Sequence, residues 1–232
     1  MDYYPNPSAG KGKQRISTMS NSKNITVIGA SSGVGLKSVE RALERGHRVT
    51  TLSRSPISIA ANPNLTVVQG SATNKGDLKK VVANADAVIV ALGTGMSTKK
   101  TTLYTDAASV LIEVQKELNK DIPFIILTGF GAGESGKYNS FLMKLVFATI
   151  LQAVYENKTL MEEMITKSSL KWEIVRPGVL TDKPLTEKYR IETKLYKGIG
   201  IGNISRADVA DFLVKQAENP TELGKYSSLS GK

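Results

Sequence analysis

A short β-type run, Asn24-Ile-Thr-Val-Ile28, leads into Gly29-Ala-Ser-Ser-Gly33-Val-Gly35, and a helical pattern from Leu36 to Arg45 follows at once. This order of strand, glycine turn and helix narrows the possible folds more than any other segment. Glycines let the backbone turn sharply and approach a ligand closely, while the first helical turn offers unpaired N–H groups and the positive end of the helix dipole. The arrangement suits a diphosphate, with Gly29, Ser31, Ser32, Gly33, Val34 and Gly35 as the residues expected to contact a nucleotide cofactor.

From Asn24 onward strands and helices alternate. Strands are expected near 24–29, 47–52, 65–69, 86–92, 123–128 and 171–176, with a last one near Lys225 to Leu229; helices are expected near 33–45, 75–84, 103–119, 138–167 and 205–218. Ala87 to Leu92 and Phe124 to Leu127 are continuously apolar, as strands covered on both faces must be. The fold class predicted is therefore α/β, a Rossmann-type doubly wound parallel sheet in three layers. A chain of 232 residues with 41% hydrophobic content can bury one substantial core, so 23–232 reads as a single domain. Residues 1–22 carry Pro5, Pro7, Gly10, Gly12 and several serines with little to bury, and read as a disordered tail in which Met19 offers an alternative start.

Composition removes several kinds of chemistry. With no cysteine and His47 as the one histidine, disulfides, thiolate nucleophiles and histidine or cysteine metal clusters are not expected, and His47 itself reads as a surface residue of a helix-to-strand turn. No apolar run is long enough to span a bilayer and the N-terminus lacks an apolar signal core, so the chain reads as cytoplasmic. The net charge of +10 favours anionic ligands, but the lysines are scattered and no aromatic-rich basic patch accompanies them. A small-molecule partner is expected rather than a specific nucleic acid, on a monomer or homodimer.

The end of the second strand discriminates between nicotinamide cofactors, because an acid there would bond the free ribose of NAD. Here it reads Thr51-Leu-Ser53-Arg54-Ser55, and Ser53 and Arg54 suit a 2′-phosphate, which predicts NADPH. Leu92, Gly93 and Thr94 close the fourth strand where such sheets admit the cofactor. Phe141, Leu142, Met143, Leu145, Val146 and Phe147 make the helical stretch after Tyr138 too apolar for a narrow core face, and leave a substrate wall, a membrane-surface contact or a subunit interface open. Ser205-x-x-Asp208 reads as a helix cap, with Arg206 and Asp208 structural.

Taken in order, Gly29 to Gly35, Asp86 to Thr94, Lys158-Thr-Leu-Met-Glu162, Trp172-Glu-Ile-Val-Arg-Pro-Gly178 and Ser205-Arg-Ala-Asp-Val-Ala210 resemble the atypical short-chain dehydrogenase/reductases. Among these the chain is most similar to the NAD(P)H-binding group that includes biliverdin reductase B, or flavin reductase, and Leu92-Gly-Thr94 followed by Thr101-Thr102 is similar to that group in particular. The resemblance implies a small C-terminal substrate region, NADPH binding and reduction of flavins, quinones or other conjugated acceptors. It also shows departures. The glycine spacing is that of the standard short-chain dehydrogenases. If Lys158 is the lysine of the superfamily's catalytic Tyr-x-x-x-Lys, the tyrosine position holds Val154, and the serine position after the fifth strand is Gly129, preceded by Thr128. On a helix Val154 lies about 40° round from Lys158 and Tyr155 about 60° away on the other flank.

Carbonyl reduction needs a proton donor to the developing alkoxide, whereas a conjugated acceptor spreads the charge or takes its proton from water. The catalytic residues expected are Lys158 on the nicotinamide ribose, Thr128 orienting nicotinamide or substrate, and Tyr155 as an alternative donor. Glu162 stands one turn beyond Lys158, the spacing of a surface ion pair. The activity expected is an NADPH-dependent reductase; the alternative is a non-catalytic NADP(H) redox sensor of the NmrA-like type, since that role needs no acid.

Overall fold

A computed structural model describes residues 22–232 apart from Met96, and at residues 141, 142 and 146–148 it describes the backbone alone. The tail expectation, with Met19, lies outside the described residues. Among the described residues, ten strands and six α-helices follow in the order β1 (Asn24–Ile28), α1 (Gly33–Glu44), β2 (Arg48–Ser53), β3 (Leu65–Gln69), α2 (Lys75–Val82), β4 (Ala87–Val90), α3 (Leu103–Leu118), β5 (Pro123–Leu127), α4 (Phe141–Val146), α5 (Gln152–Thr166), β6 (Lys171–Pro177), β7 (Val179–Thr181), β8 (Tyr189–Glu192), β9 (Asn203–Ser205), α6 (Arg206–Glu218) and β10 (Tyr226–Gly231).

The main sheet has eight strands in the order β3-β2-β1-β4-β5-β6-β10-β8, all parallel except the β8 edge, and β7 pairs with β9 separately. The doubly wound α/β fold read from the sequence is the one observed. Alternation along each central strand feeds two cores. Ile25, Val27, Ile89 and Ile125 face α1 and α6 with Val39, Val209 and Phe212, whereas Ile28, Val88, Val90, Phe124 and Ile126 face α2, α3 and α5 with Leu78, Leu111, Met161 and Ile165. The chain winds outward from β1 to β3 and returns to β4 beside β1, so a crevice opens beyond the carboxyl ends of β1 and β4 where no connection crosses.

The structure differs from these expectations in the helix over 138–167 and at His47, and it adds three short strands. The helix expected over 138–167 is broken: a 3₁₀ turn (Gly133–Tyr138) ends at extended Asn139, α4 begins after Ser140, and a π-helical turn (Phe147–Leu151) joins α4 to α5. The Thr149 hydroxyl donates to the Leu145 carbonyl at 2.8 Å, a back-bond of the sort that bends helices, and the wide turn resets the phase of α5. β7, β8 and β9, three or four residues long and beside glycines or charges, were too short to carry a period. His47 is 1% exposed, not a surface residue. Its Nδ1 accepts from the Lys23 N–H at 3.2 Å, which leaves Nε2 to donate to Glu218 at 2.6 Å and ties the start of β1 to the end of α6. No helix among the described residues is long and apolar enough to cross a membrane.

Candidate active site

The crevice is a cleft of about 750 Å³ lined from the carboxyl ends of β1 to β6. Its floor at one end is the glycine turn. A Cβ on Gly35 would stand 2.1 Å from the Gly29 carbonyl oxygen, so α1 starts as close to β1 as backbone permits. Gly33, at φ +58°, is different: a Cβ there would meet nothing nearer than the Arg206 guanidinium at 4.0 Å, so the space above the α1 N-terminus is open to a ligand. Ser32 is the N-cap of α1 yet makes no side-chain capping bond, which leaves its hydroxyl and the first N–H groups of α1 facing the cleft with Ser31 and Val34. These features fit a dinucleotide diphosphate.

Ser53 and Arg54 line the same cleft at the end of β2. The Ser53 hydroxyl donates to the Ser55 carbonyl at 2.7 Å, and the Gln69 amide donates to the Arg54 carbonyl at 3.1 Å, so the loop is held from behind while the Arg54 guanidinium stays exposed. Gly70, Ser71 and Ala72, after β3, complete this end and were not anticipated as site residues. Leu92, Gly93 and Thr94 line the middle, where the Thr94 hydroxyl donates to the Ser97 carbonyl at 3.0 Å.

Thr128, Tyr155 and Lys158 meet at the far end, as the sequence suggested, but their polar atoms are engaged in ways it did not. Lys158 Nζ donates to the Thr128 carbonyl at 2.7 Å and lies 4.9 Å from the centre of the Tyr155 ring. Burial pushes the Lys158 ammonium down to about 8, against the opposing pull of Glu162. Glu162 does not form a surface pair with Lys158. It is 2% exposed and forms a two-pronged pair with Arg176, which is 0% exposed, at 3.1 Å from Nε and 2.6 Å from Nη2. The Thr128 hydroxyl donates to the same carboxylate at 2.7 Å, so Thr128 presents its carbonyl, not its hydroxyl, to the lysine. Arg176 also donates to Glu134 at 3.1 Å and lies 3.8 Å over the Tyr226 ring. The Arg176-Pro-Gly turn thus anchors this end of the cleft, a role its sequence position did not reveal.

Tyr155 occupies the room left by the missing side chain at Gly129: a Cβ on Gly129 would lie 2.6 Å from the Tyr155 hydroxyl. Burial, with Tyr104 and Glu162 adding to it, pushes the phenol up to about 12, so it remains protonated at neutral pH. Beyond it Met143, Leu151, Val154, Val179, Leu180 and Ile201 form an apolar wall, so part of the apolar stretch after Tyr138 faces the cleft. Arg206, read as structural, also lines it, whereas Ser205 and Asp208 do form the expected cap: Ser205 Oγ accepts from the Asp208 N–H at 2.9 Å.

A parallel sheet with a glycine cradle at its switch point defines a dinucleotide-binding Rossmann protein. The chain belongs to the NAD(P)H-binding family, whose model matches residues 29–220. Solved structures with the same fold include ChuY, an anaerobilin reductase from Escherichia coli O157:H7 (TM-score 0.70, 23% identity, 89% of this chain and 96% of that one). They also include a protein assigned as an NADH-flavin reductase from Streptococcus pneumoniae TIGR4 (TM-score 0.74, 24% identity, 90% and 100%). A third is a short-chain dehydrogenase/reductase from Veillonella parvula DSM 2008 in complex with NADP (TM-score 0.74, 20% identity, 90% and 94%). A 3-beta-hydroxysteroid dehydrogenase from Mycolicibacterium neoaurum is 41% identical over 64 residues, 28% of this chain and 18% of that protein. The chain therefore matches under a fifth of that relative's length.

Proposed function

We propose that the protein is an NADPH-dependent reductase of a planar conjugated acceptor such as a flavin or quinone. The observation that carries this reading is the continuity of the cleft: it runs from the glycine cradle and Arg54, past Lys158, to an apolar wall, with no break between nucleotide and acceptor ends. Bound NADPH supplies a hydride. Arg54, with no carboxylate at the end of β2, favours the 2′-phosphate over a free ribose, while Ser53, its hydroxyl given to the Ser55 carbonyl, shapes the loop that presents it. Lys158, held by the Thr128 carbonyl, holds the nicotinamide ribose, and the apolar wall stacks the acceptor and excludes water. Tyr155, with its proton tightly held, donates a hydrogen bond to acceptor oxygen or nitrogen without becoming an efficient acid. An acceptor that delocalises its charge suits such a site better than a simple ketone does.

The test is anaerobic oxidation of NADPH by the purified protein with FMN or a simple quinone, NADH being the parallel donor. Turnover with NADPH well above NADH is expected. Arg54→Ala should weaken NADPH by about 10- to 100-fold while sparing NADH. Saturable NADPH quenching of Trp172 fluorescence with no turnover across flavins and quinones would replace this reading by the redox sensor.

A further inference from the structure

We propose that Arg206 is a ligand of the cofactor diphosphate, and that Asp182 is the carboxylate it exchanges for that anion; the inference rests on the cofactor reading above. Arg206 is the first residue of α6, directly after its N-cap Ser205, and the first turn of a helix disfavours a cation. Its side chain crosses to a second helix start, since its Nε lies 4.0 Å from a Cβ built on Gly33, at the start of α1, nearer than any other side chain among the described residues beyond Gly33's chain neighbours. A guanidinium thus sits between two positive helix ends, over a cradle whose N-cap serine makes no capping bond. That placement is unfavourable until an anion enters, and it is complementary to two adjacent phosphates, which a guanidinium binds through paired N–H donors.

The protein supplies a provisional anion. Arg206 Nη1 donates to Asp182 Oδ1 at 2.8 Å, but the Asp182 side chain is 88% exposed and that of Arg206 30% exposed, so the pair is solvated and weakly held. Asp182 follows β7, whose Val179 and Leu180 line the acceptor end of the cleft, so the exchange links cofactor binding to the segment that walls the acceptor. Arg54 stands at the end of β2, apart from this cradle, and is the residue assigned to the 2′-phosphate. Two arginines therefore divide the two anionic parts of one ligand.

The full chain is titrated calorimetrically with NADP⁺ and, in competition, with 2′-AMP, which has the 2′-phosphate and lacks the diphosphate. Arg206→Ala is expected to weaken NADP⁺ by about 10- to 100-fold and to leave 2′-AMP within about twofold. The ligand-free variant should melt no lower than the parent, because it loses a cation from two helix starts. Asp182→Asn should tighten NADP⁺ by about two- to fivefold, and the gain should vanish in the double variant with Arg206→Ala. NADP⁺ affinity unchanged in Arg206→Ala, equal weakening of both ligands, or a lowered melting temperature in that variant would each overturn the inference while the cofactor reading stands. A parent protein that binds neither ligand would overturn the cofactor reading, and this inference with it.

Discussion

Glu162→Ala removes the partner that neutralises the most deeply buried cation of the site. Arg176 is 0% exposed and would retain Glu134, whose side chain is 51% exposed, as its carboxylate partner. Breaking a buried pair by deleting one side typically costs about 3–5 kcal/mol, because the remaining charge is left desolvated. For a domain of this size each kcal/mol moves Tm by about 2–4 °C, so the variant is expected to melt about 6–20 °C lower. The assay is thermal unfolding followed by circular dichroism and by Trp172, whose ring lies 5.5 Å from that of Tyr226, beneath the Arg176 guanidinium. The double variant Glu162→Leu/Arg176→Met separates charge from shape. Replacing both partners by apolar side chains is often neutral or stabilising, and Thr128 keeps the Val175 carbonyl as an acceptor at 3.5 Å, so most of the lost Tm should return. The reasoning is refuted if the single variant loses less than about 2 °C, or if the double variant melts no higher than the single one.

Three other outcomes are expected. Lys158 is charged below about 8 and neutral above it, so NADPH affinity should fall as pH rises from 7 to 9; Lys158→Met should bind weakly at pH 7 with a flat profile, and a parent-like slope in that variant would assign the titration elsewhere. Glu173 is buried, its Oε2 has no hydrogen-bond partner among the described residues, and burial pushes its carboxyl up to about 7 in spite of the bond donated by Ser227. With the folded value above the unfolded one, its contribution is complete below about 4.5 and lost as pH rises through about 7, so the Tm advantage of Glu173→Gln over the parent should grow between pH 5 and pH 8; a constant difference refutes the assignment. Gly35→Ala forces a methyl to 2.1 Å from the Gly29 carbonyl oxygen and should cost about 1–3 kcal/mol or more with loss of NADP(H) binding, measured by urea titration and calorimetry, whereas parent-like values would mean that α1 yields easily.

What was legible in the chain was what local periodicity encodes. The continuous apolar runs at 87–92 and 124–127 could only be central strands, and β4 and β5 lie buried on both faces. The turn from Gly29 to Gly35 and the Ser205 cap were readable because their partners lie within a few residues. The break in the helix at 139–151 was not, since it follows from one extended residue and a wide turn inside an otherwise helical composition. Nor were the destinations of charges. Glu162, for which the sequence offers only the alternative of a surface pair with Lys158 four residues away, pairs with Arg176 from the next strand; His47, expected at the surface, reaches Glu218; Arg206, expected to be structural, lines the cleft. By itself the sequence determined the layered α/β fold and the end of the sheet where a nucleotide belongs, because backbone propensity and side-chain periodicity act over a few residues. Only the tertiary structure decided which charges are buried together and which line the cleft, because desolvation and ion pairing depend on proximity in space between segments far apart along the chain.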